Sequence, residues 1–249
     1  MLWTRFFEHF VSEIREDIFL EMELLLLTFA TGIEDTATFL GYRCFTSNQT
    51  GNTVLLAMSL AGSTTAPPVP SLMGVSLLMF ILGAWINGQI GNQLGRCRRL
   101  WLVVSSSIQT ALVLAGSGLG FGWVDQETNA LALGLIAFLG FSSGSQVAMV
   151  RSLLIPEIST ANATSTYVDI VIDEGLYTQH NRKRNRRLLF ILILCVGSFS
   201  GAYIYRAFEG PTTLLFSAMG KLMVTILFVF NRKKEGEKKT NYSTDSFMV

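Results

Sequence analysis

The stretch FTSNQTGNTVLLAMSL, residues 45–60, opens on polar and small residues and closes in an apolar run that would fit half of a membrane helix. Polar sequence set directly against lipid-grade sequence needs a reason. That reason decides how many times the chain crosses the bilayer.

The surrounding composition is that of a membrane protein. The 249 residues are 50% hydrophobic and 15% charged, with a mean hydropathy of +0.43, whereas an ordinary soluble domain is about 25% charged. Six stretches approach or exceed the length needed to span hydrocarbon, about 18–20 residues: Leu20–Phe39, Ser71–Gln93, Leu100–Gly122, Ala130–Val150, Leu188–Arg206 and Thr212–Phe230. The first carries Glu21 and Glu23 in place of a basic start and has no small-residue cleavage site, so it reads as a span and not a removable signal. Three basic clusters follow the spans: Arg96, Arg98 and Arg99; Arg182, Lys183, Arg184, Arg186 and Arg187; and Arg232, Lys233, Lys234, Lys238 and Lys239. Loops 61–71, 123–129 and 207–212 carry no Lys or Arg. Positive charge marks the cytoplasmic side, which puts all three clusters and both termini there.

That rule constrains the opening stretch. A full crossing by residues 43–62 would place the Arg96 cluster opposite the other two. A re-entrant segment removes the conflict, with an irregular descent through RCFTSNQ and a half-helix from about Thr50 to Ala61. Eight full spans is the alternative.

An internal repeat points the same way. At an offset of 112, Leu27, Phe29, Thr31, Gly32 and Glu34 fall on Leu139, Phe141, Ser143, Gly144 and Gln146. At an offset of 114, Asn48, Thr50, Asn52 and Val54 fall on Asn162, Thr164, Thr166 and Val168, and LGAW (82–85) falls on VGSF (196–199). Each half then holds three crossings and one re-entrant piece, and an odd number of crossings makes the halves antiparallel. The expected fold is an all-α integral membrane protein with six transmembrane helices and two re-entrant half-helices in two inverted-topology repeats. Residues 20–122 form the first repeat and 130–230 the second. Residues 1–19, with Trp3, Phe6, Phe7, Phe10, Val11, Ile14 and Ile18 at helical spacing, read as an interfacial amphipathic helix, and 231–249 as a disordered basic tail.

In this topology the two half-helices approach the midplane from opposite faces. Asn48 and Asn162 stand at their starts, where an amide side chain can accept from orphan backbone N–H groups that hydrocarbon would otherwise leave unsatisfied. Asn48, Thr50, Asn52, Asn162 and Thr164 are thus expected at a central constriction. Glu34 and Asp35, carboxylates inside a span, are expected near its outer mouth, and Asp169 on the second half-helix. Polar residues that merely hydrogen-bond between helices are the competing reading.

Catalytic chemistry finds little footing. There is no P-loop or HExxH pattern. His9 and His180 lie outside the spans, and Cys44, Cys97 and Cys195 suggest neither a disulfide framework nor a metal site, so no metal or cofactor is expected. The formal net charge of +1 predicts no nucleic acid partner. The expected partners are the lipid bilayer and a small solute, with a homo-oligomer left open.

The block GIEDTATFLGYRCFTSNQTGNTVLLAMSL, 32–60, resembles the YoaK-like family of multi-pass membrane proteins (domain of unknown function 1275), above all its fungal members. Gly32, Asp35, Ser47, Asn48, Thr50, Gly51, Asn52 and Thr53 carry the resemblance, and EISTANATSTYVD, 157–169, is similar to the family's second block. Asn162 departs from that block, where Met is more usual. The resemblance implies a membrane location and no particular activity. Two functions stay open: a transporter or channel-like facilitator of a small neutral or anionic solute, with proton linkage through the Glu34–Asp35 pair, and a non-transporting scaffold that binds lipid headgroups or a protein.

Overall fold

The computed structural model describes residues 9–62, 69–121, 129–153 and 155–233, the side chain of Asn129 excepted. Seven named helices account for most of them: α1 (Ile18–Tyr42), α2 (Gln49–Leu60), α3 (Pro70–Leu94), α4 (Arg99–Phe121), α5 (Asn129–Arg151), α6 (Ala163–Val171) and α7 (Arg182–Phe230). Five of these, α1, α3, α4, α5 and α7, are long and apolar enough to cross a membrane. The architecture is inside-out relative to a soluble domain. Trp85, Phe199, Tyr203 and Phe230 are more than 60% exposed, while Glu34, Gln109, Gln146 and Lys221 are 1% exposed. An apolar exterior over a polar interior is what lipid selects, and the chain is an integral membrane protein.

Helix α7 cannot be one rod. Its 49 residues would measure about 74 Å at 1.5 Å per residue, against a hydrocarbon core of about 30 Å. Glu209, at φ 67°, breaks it, and Pro211 restarts it. Contacts with α1 show the chain doubling back. The outgoing arm places Gly197 against the Phe29 carbonyl, and the return arm brings Ser217 to the Ala30 carbonyl at 3.0 Å. Residues twenty apart in α7 therefore touch adjacent residues of α1.

The pairing of helices echoes the sequence repeat. Helix α1 packs mainly on α7, and α3 on α5. Where α3 crosses α5, Gly83 lies on the Phe141 carbonyl and Gly144 on the Phe80 carbonyl. Where α1 crosses α7, Gly197 lies on the Phe29 carbonyl, and a Cβ at Gly32 would come 2.7 Å from the Leu194 carbonyl. These contacts correspond residue for residue at offsets of 112 and 114. Backbones approach this closely only where no side chain intervenes.

The chain between α1 and α2 turns back along α1. Arg43 ends α1 in the left-handed conformation. Thr46 and Ser47 then donate their amides to Asp35 Oδ1, at 3.0 and 2.9 Å, seven residues or about 10 Å below the helix end. Asn52 clamps this descent, exchanging hydrogen bonds with the backbone of Phe45 at 2.9 and 2.7 Å. Helix α2 then packs on α3, with Leu55 and Leu56 against the cluster that holds Cys44, Leu72 and Met73.

The basic clusters share one end of the bundle. Arg99, fully buried, donates to the carbonyls of His9 and Asn231. Asn231 also donates to Glu23 at 2.7 Å, and Arg186 pairs with Glu21 at 2.7 Å and Glu157 at 3.3 Å. Two expectations change here. Among its described residues the amphipathic segment is helical over His9–Val11 and again only at Ile18 and Phe19, where α1 begins. Between them Ile14 bonds to Cys97 and Arg15 to Arg232, so Ile14 is 5% exposed in the core instead of facing lipid, because backbone pairing with the two basic loops draws it inward. The tail begins ordered, with Asn231 buried and Lys233 bridged to Ile14. Residues 1–8 and 234–249, the remainder of those two segments, lie outside the described residues.

Candidate functional site

Two buried stripes converge at the centre. On α1, Leu20, Leu24, Leu27, Thr31, Glu34 and Thr38 recur every three or four residues, and all are buried. On the return arm of α7, Leu214, Ser217, Lys221, Val224 and Phe228 do the same. Such spacing keeps each set on one helix face. The stripes bring Lys221 Nζ to 3.0 Å from Glu34 Oε2, with each side chain 1% exposed.

A buried ion pair is tolerable only when attraction and further hydrogen bonds offset the loss of water around both charges. Ser217 donates to Glu34 Oε2 at 3.2 Å, and Ser143 and Thr46 to Oε1 at 3.1 and 3.3 Å. Lys221 also donates to Ser142 Oγ at 3.3 Å. The residues come from α1, the descent before α2, α5 and α7. The pair thus joins the two halves of the sequence.

From this centre a polar ladder runs toward the basic end. Ser142 donates to the Gln109 carbonyl at 3.1 Å, and Gln109 Nε2 to Ser105 at 2.9 Å. Asn87 donates to Ser105 at 2.7 Å. The far side of Gln109 and of Asn87, their Oε1 and Oδ1, is buried without a partner among the described residues. Asn87 forms part of the wall of a cavity of about 190 Å³ between α3, α4 and α5.

The predicted residues divide. Glu34 is at the centre of the bundle and not at an outer mouth. Its neighbour Asp35 is half-buried and anchors the descent, accepting two amides and the Ser47 hydroxyl. Asn52, 1% exposed, is a clamp for Phe45 with a further bond to Ser76 at 3.2 Å. Asn48 caps α2 through a bond from the Gly51 amide at 3.2 Å, yet its side chain and that of Thr50 are exposed. Asn162 is the N-cap of α6 but makes no side-chain cap bond. Ser159 takes the role of tying that turn, at 3.1 Å from the Asn162 amide. Asn162 and Thr164 are exposed, and Asp169 lies by Arg187 at 3.8 Å near the basic end. These four threonines and asparagines do not gather around Glu34, because each half-helix turns another face to the bundle.

The elbows before the half-helices do reach the centre. Thr46 bonds Glu34, and Thr160, buried at φ 59°, accepts from Gln146 at 3.2 Å. Gln146 is the residue that the 112 offset aligns with Glu34, and Thr160 the one that the 114 offset aligns with Thr46. Gln146 in turn donates to Thr31, one helix turn from Glu34, at 2.9 Å. Lys221 itself was overlooked by the sequence reading. Its signal was available: it is the single charged residue between Thr212 and Phe230.

No curated protein and no solved structure matches the chain. A family model described as protein of unknown function, DUF1275, matches residues 24–227, a range that takes in both Glu34 and Lys221, and the chain belongs to that family.

Proposed function

We propose that this chain is a membrane transporter or channel-like facilitator of a small neutral or anionic solute, linked to protons through Glu34. In this reading the two arms of α7 cross the bilayer separately, giving six crossings. The descents to Thr46 and Thr160 are re-entrant from opposite faces, the halves are inverted repeats, and the basic end with both termini is cytoplasmic. The Glu34–Lys221 pair carries the proposal. Ionisable residues at membrane depth are costly and are kept where a path or a proton site needs them, and helices can be held together by the small and hydroxyl residues already present at these crossings. A pair that bridges the two halves is a natural latch: parting Glu34 from Lys221 loosens one half from the other, as alternating access requires.

A scaffold that carries nothing is the second reading. It is favoured by the closure of the hydroxyl cage around the pair and by the tying of His9 and Asn231 to the bundle through Arg99.

Flux into proteoliposomes decides between them. The expected result, across a panel of small sugars, amino acids, carboxylates and phosphate esters, is uptake of at least one class, lost in Lys221→Met and Glu34→Gln proteins of normal helicity. Absence of uptake for every class would overturn transport.

A further inference from the structure

We infer that the cavity between α3, α4 and α5 at the basic end binds the carboxylate or phosphate group of a small organic anion. As an access vestibule it rests on the transport reading; as a binding site it stands on its own geometry.

Arg96 and Arg151 stand exposed at its rim, and no Asp or Glu lines it. Among the described residues Arg96 bonds only the neutral Asn92, at 2.5 Å, and Arg151 has no ion pair. Two guanidinium groups facing one space without a counter-charge favour an anion. The inner wall adds what a loose surface patch lacks. Asn87, 8% exposed, leaves Oδ1 without a partner. Trp101, 4% exposed, walls the cavity, with its indole nitrogen 2.9 Å from where a Cβ on Gly91 would sit. Buried polar groups are nearly always paired, so the bare Asn87 oxygen marks this wall as one that a polar molecule completes.

The set also defines the ligand. The guanidinium groups take an anionic head, and the Asn87 oxygen takes a donor such as a hydroxyl. A volume of about 190 Å³ is below the roughly 300–1,000 Å³ of drug-sized pockets. Hydroxycarboxylates and small phosphate monoesters fit this description. The same head-group chemistry occurs in anionic lipids, and Trp85, 61% exposed on the rim, brings the cavity within reach of them.

The test is titration calorimetry on the full chain in phosphatidylcholine nanodiscs, with lactate, glycerol 3-phosphate and inorganic phosphate as probes and glycerol as the neutral control. At least one anion is expected to bind and glycerol not. Gly88→Leu should lower affinity at least tenfold by filling the cavity. A Cβ at Gly88 meets nothing within 4 Å, so the fold tolerates the start of that side chain. Arg151→Gln should have a similar effect and Lys183→Gln, on α7, less than a twofold one. The inference is overturned if no anion binds in either lipid, or if Gly88→Leu and Arg151→Gln both bind as the parent does. Discs containing phosphatidylserine separate the sources. Unchanged affinity identifies a free solute, and a tenfold loss that Gly88→Leu abolishes identifies the headgroup. Binding without flux in proteoliposomes would defeat the transport reading and leave the site. Flux of a neutral solute without anion binding would do the reverse.

Discussion

Lys221 Nζ lies 3.0 Å from Glu34 Oε2, across 187 residues of sequence and with neither side chain more than 1% exposed. Removing one member of such a pair leaves the other charge buried and alone, which costs about 3–5 kcal/mol, whereas removing both is often neutral. Lys221→Met should therefore lower the melting temperature in detergent sharply. Adding Glu34→Gln to it should restore most of the loss, since the amide still serves Ser143, Thr46 and Ser217. Equal melting temperatures for the single and double variants would mean that the pair is not a coupled unit.

The helix crossings give a second, sharper contrast. At Gly83 and Gly144 a methyl group would fall on a carbonyl of the facing helix, while at Gly74 and Gly88 it would meet nothing within 4 Å. Overpacking costs about 1–3 kcal/mol. In an open helical position, Gly to Ala instead gains about 0.5–1 kcal/mol. Gly83→Ala and Gly144→Ala should each unfold at lower denaturant than the parent, and Gly74→Ala and Gly88→Ala at the same or higher. Denaturant titrations in one detergent would check all four together.

Asp35 accepts the amides of Thr46 and Ser47 through one oxygen, Oδ1. Asp35→Ala leaves two amides in a half-buried place without an acceptor, at about 1–3 kcal/mol for each. Asp35→Asn keeps a carbonyl oxygen and should be milder. Hydrogen exchange by mass spectrometry should show faster exchange over residues 44–56 in Asp35→Ala and no change in α6. Protection equal to the parent's would show that Asn52 alone holds the descent.

How far the sequence could be read follows from the range of each interaction. Span positions come from local hydropathy, and those expected for the first four helices lie within about three residues of α1, α3, α4 and α5. The polar run at 45–52 was legible because capping is local: Asn48 does cap α2. The face that a half-helix presents is not local. Gln49, Asn52 and Leu56 share the side that packs on α3, and Thr50 lies on the outer side. The Asn-x-Thr spacing, common to both halves, could not tell these apart. Glu34 stood out as a carboxylate in a span, but with Asp35 beside it the pair read as two acids repelling. Its true partner is set by the doubling back of α7 at Glu209, which no pattern within α1 encodes.

The orientation of the descent can be tested directly. Arg43 and Gly62 are exposed at the two ends of the segment that contains α2. If that segment is re-entrant, single cysteines at these positions react with a membrane-impermeant maleimide from the same face of sealed vesicles. In a full crossing they react from opposite faces. The background needs Cys44, Cys97 and Cys195 changed to Ser. Cys44, fully buried and 3.7 Å from the Leu72 carbonyl, is the delicate one, and Ser keeps a donor of nearly the same size there. A third cysteine at Lys233, bridged to Ile14 at the basic end, should react only from the face opposite to Arg43. Labelling of Gly62 and Lys233 from one face would put α2 across the whole bilayer. That outcome would overturn the re-entrant reading, because Arg99 holds the carbonyls of His9 and Asn231 and so fixes the Arg96 loop at the same end as Lys233.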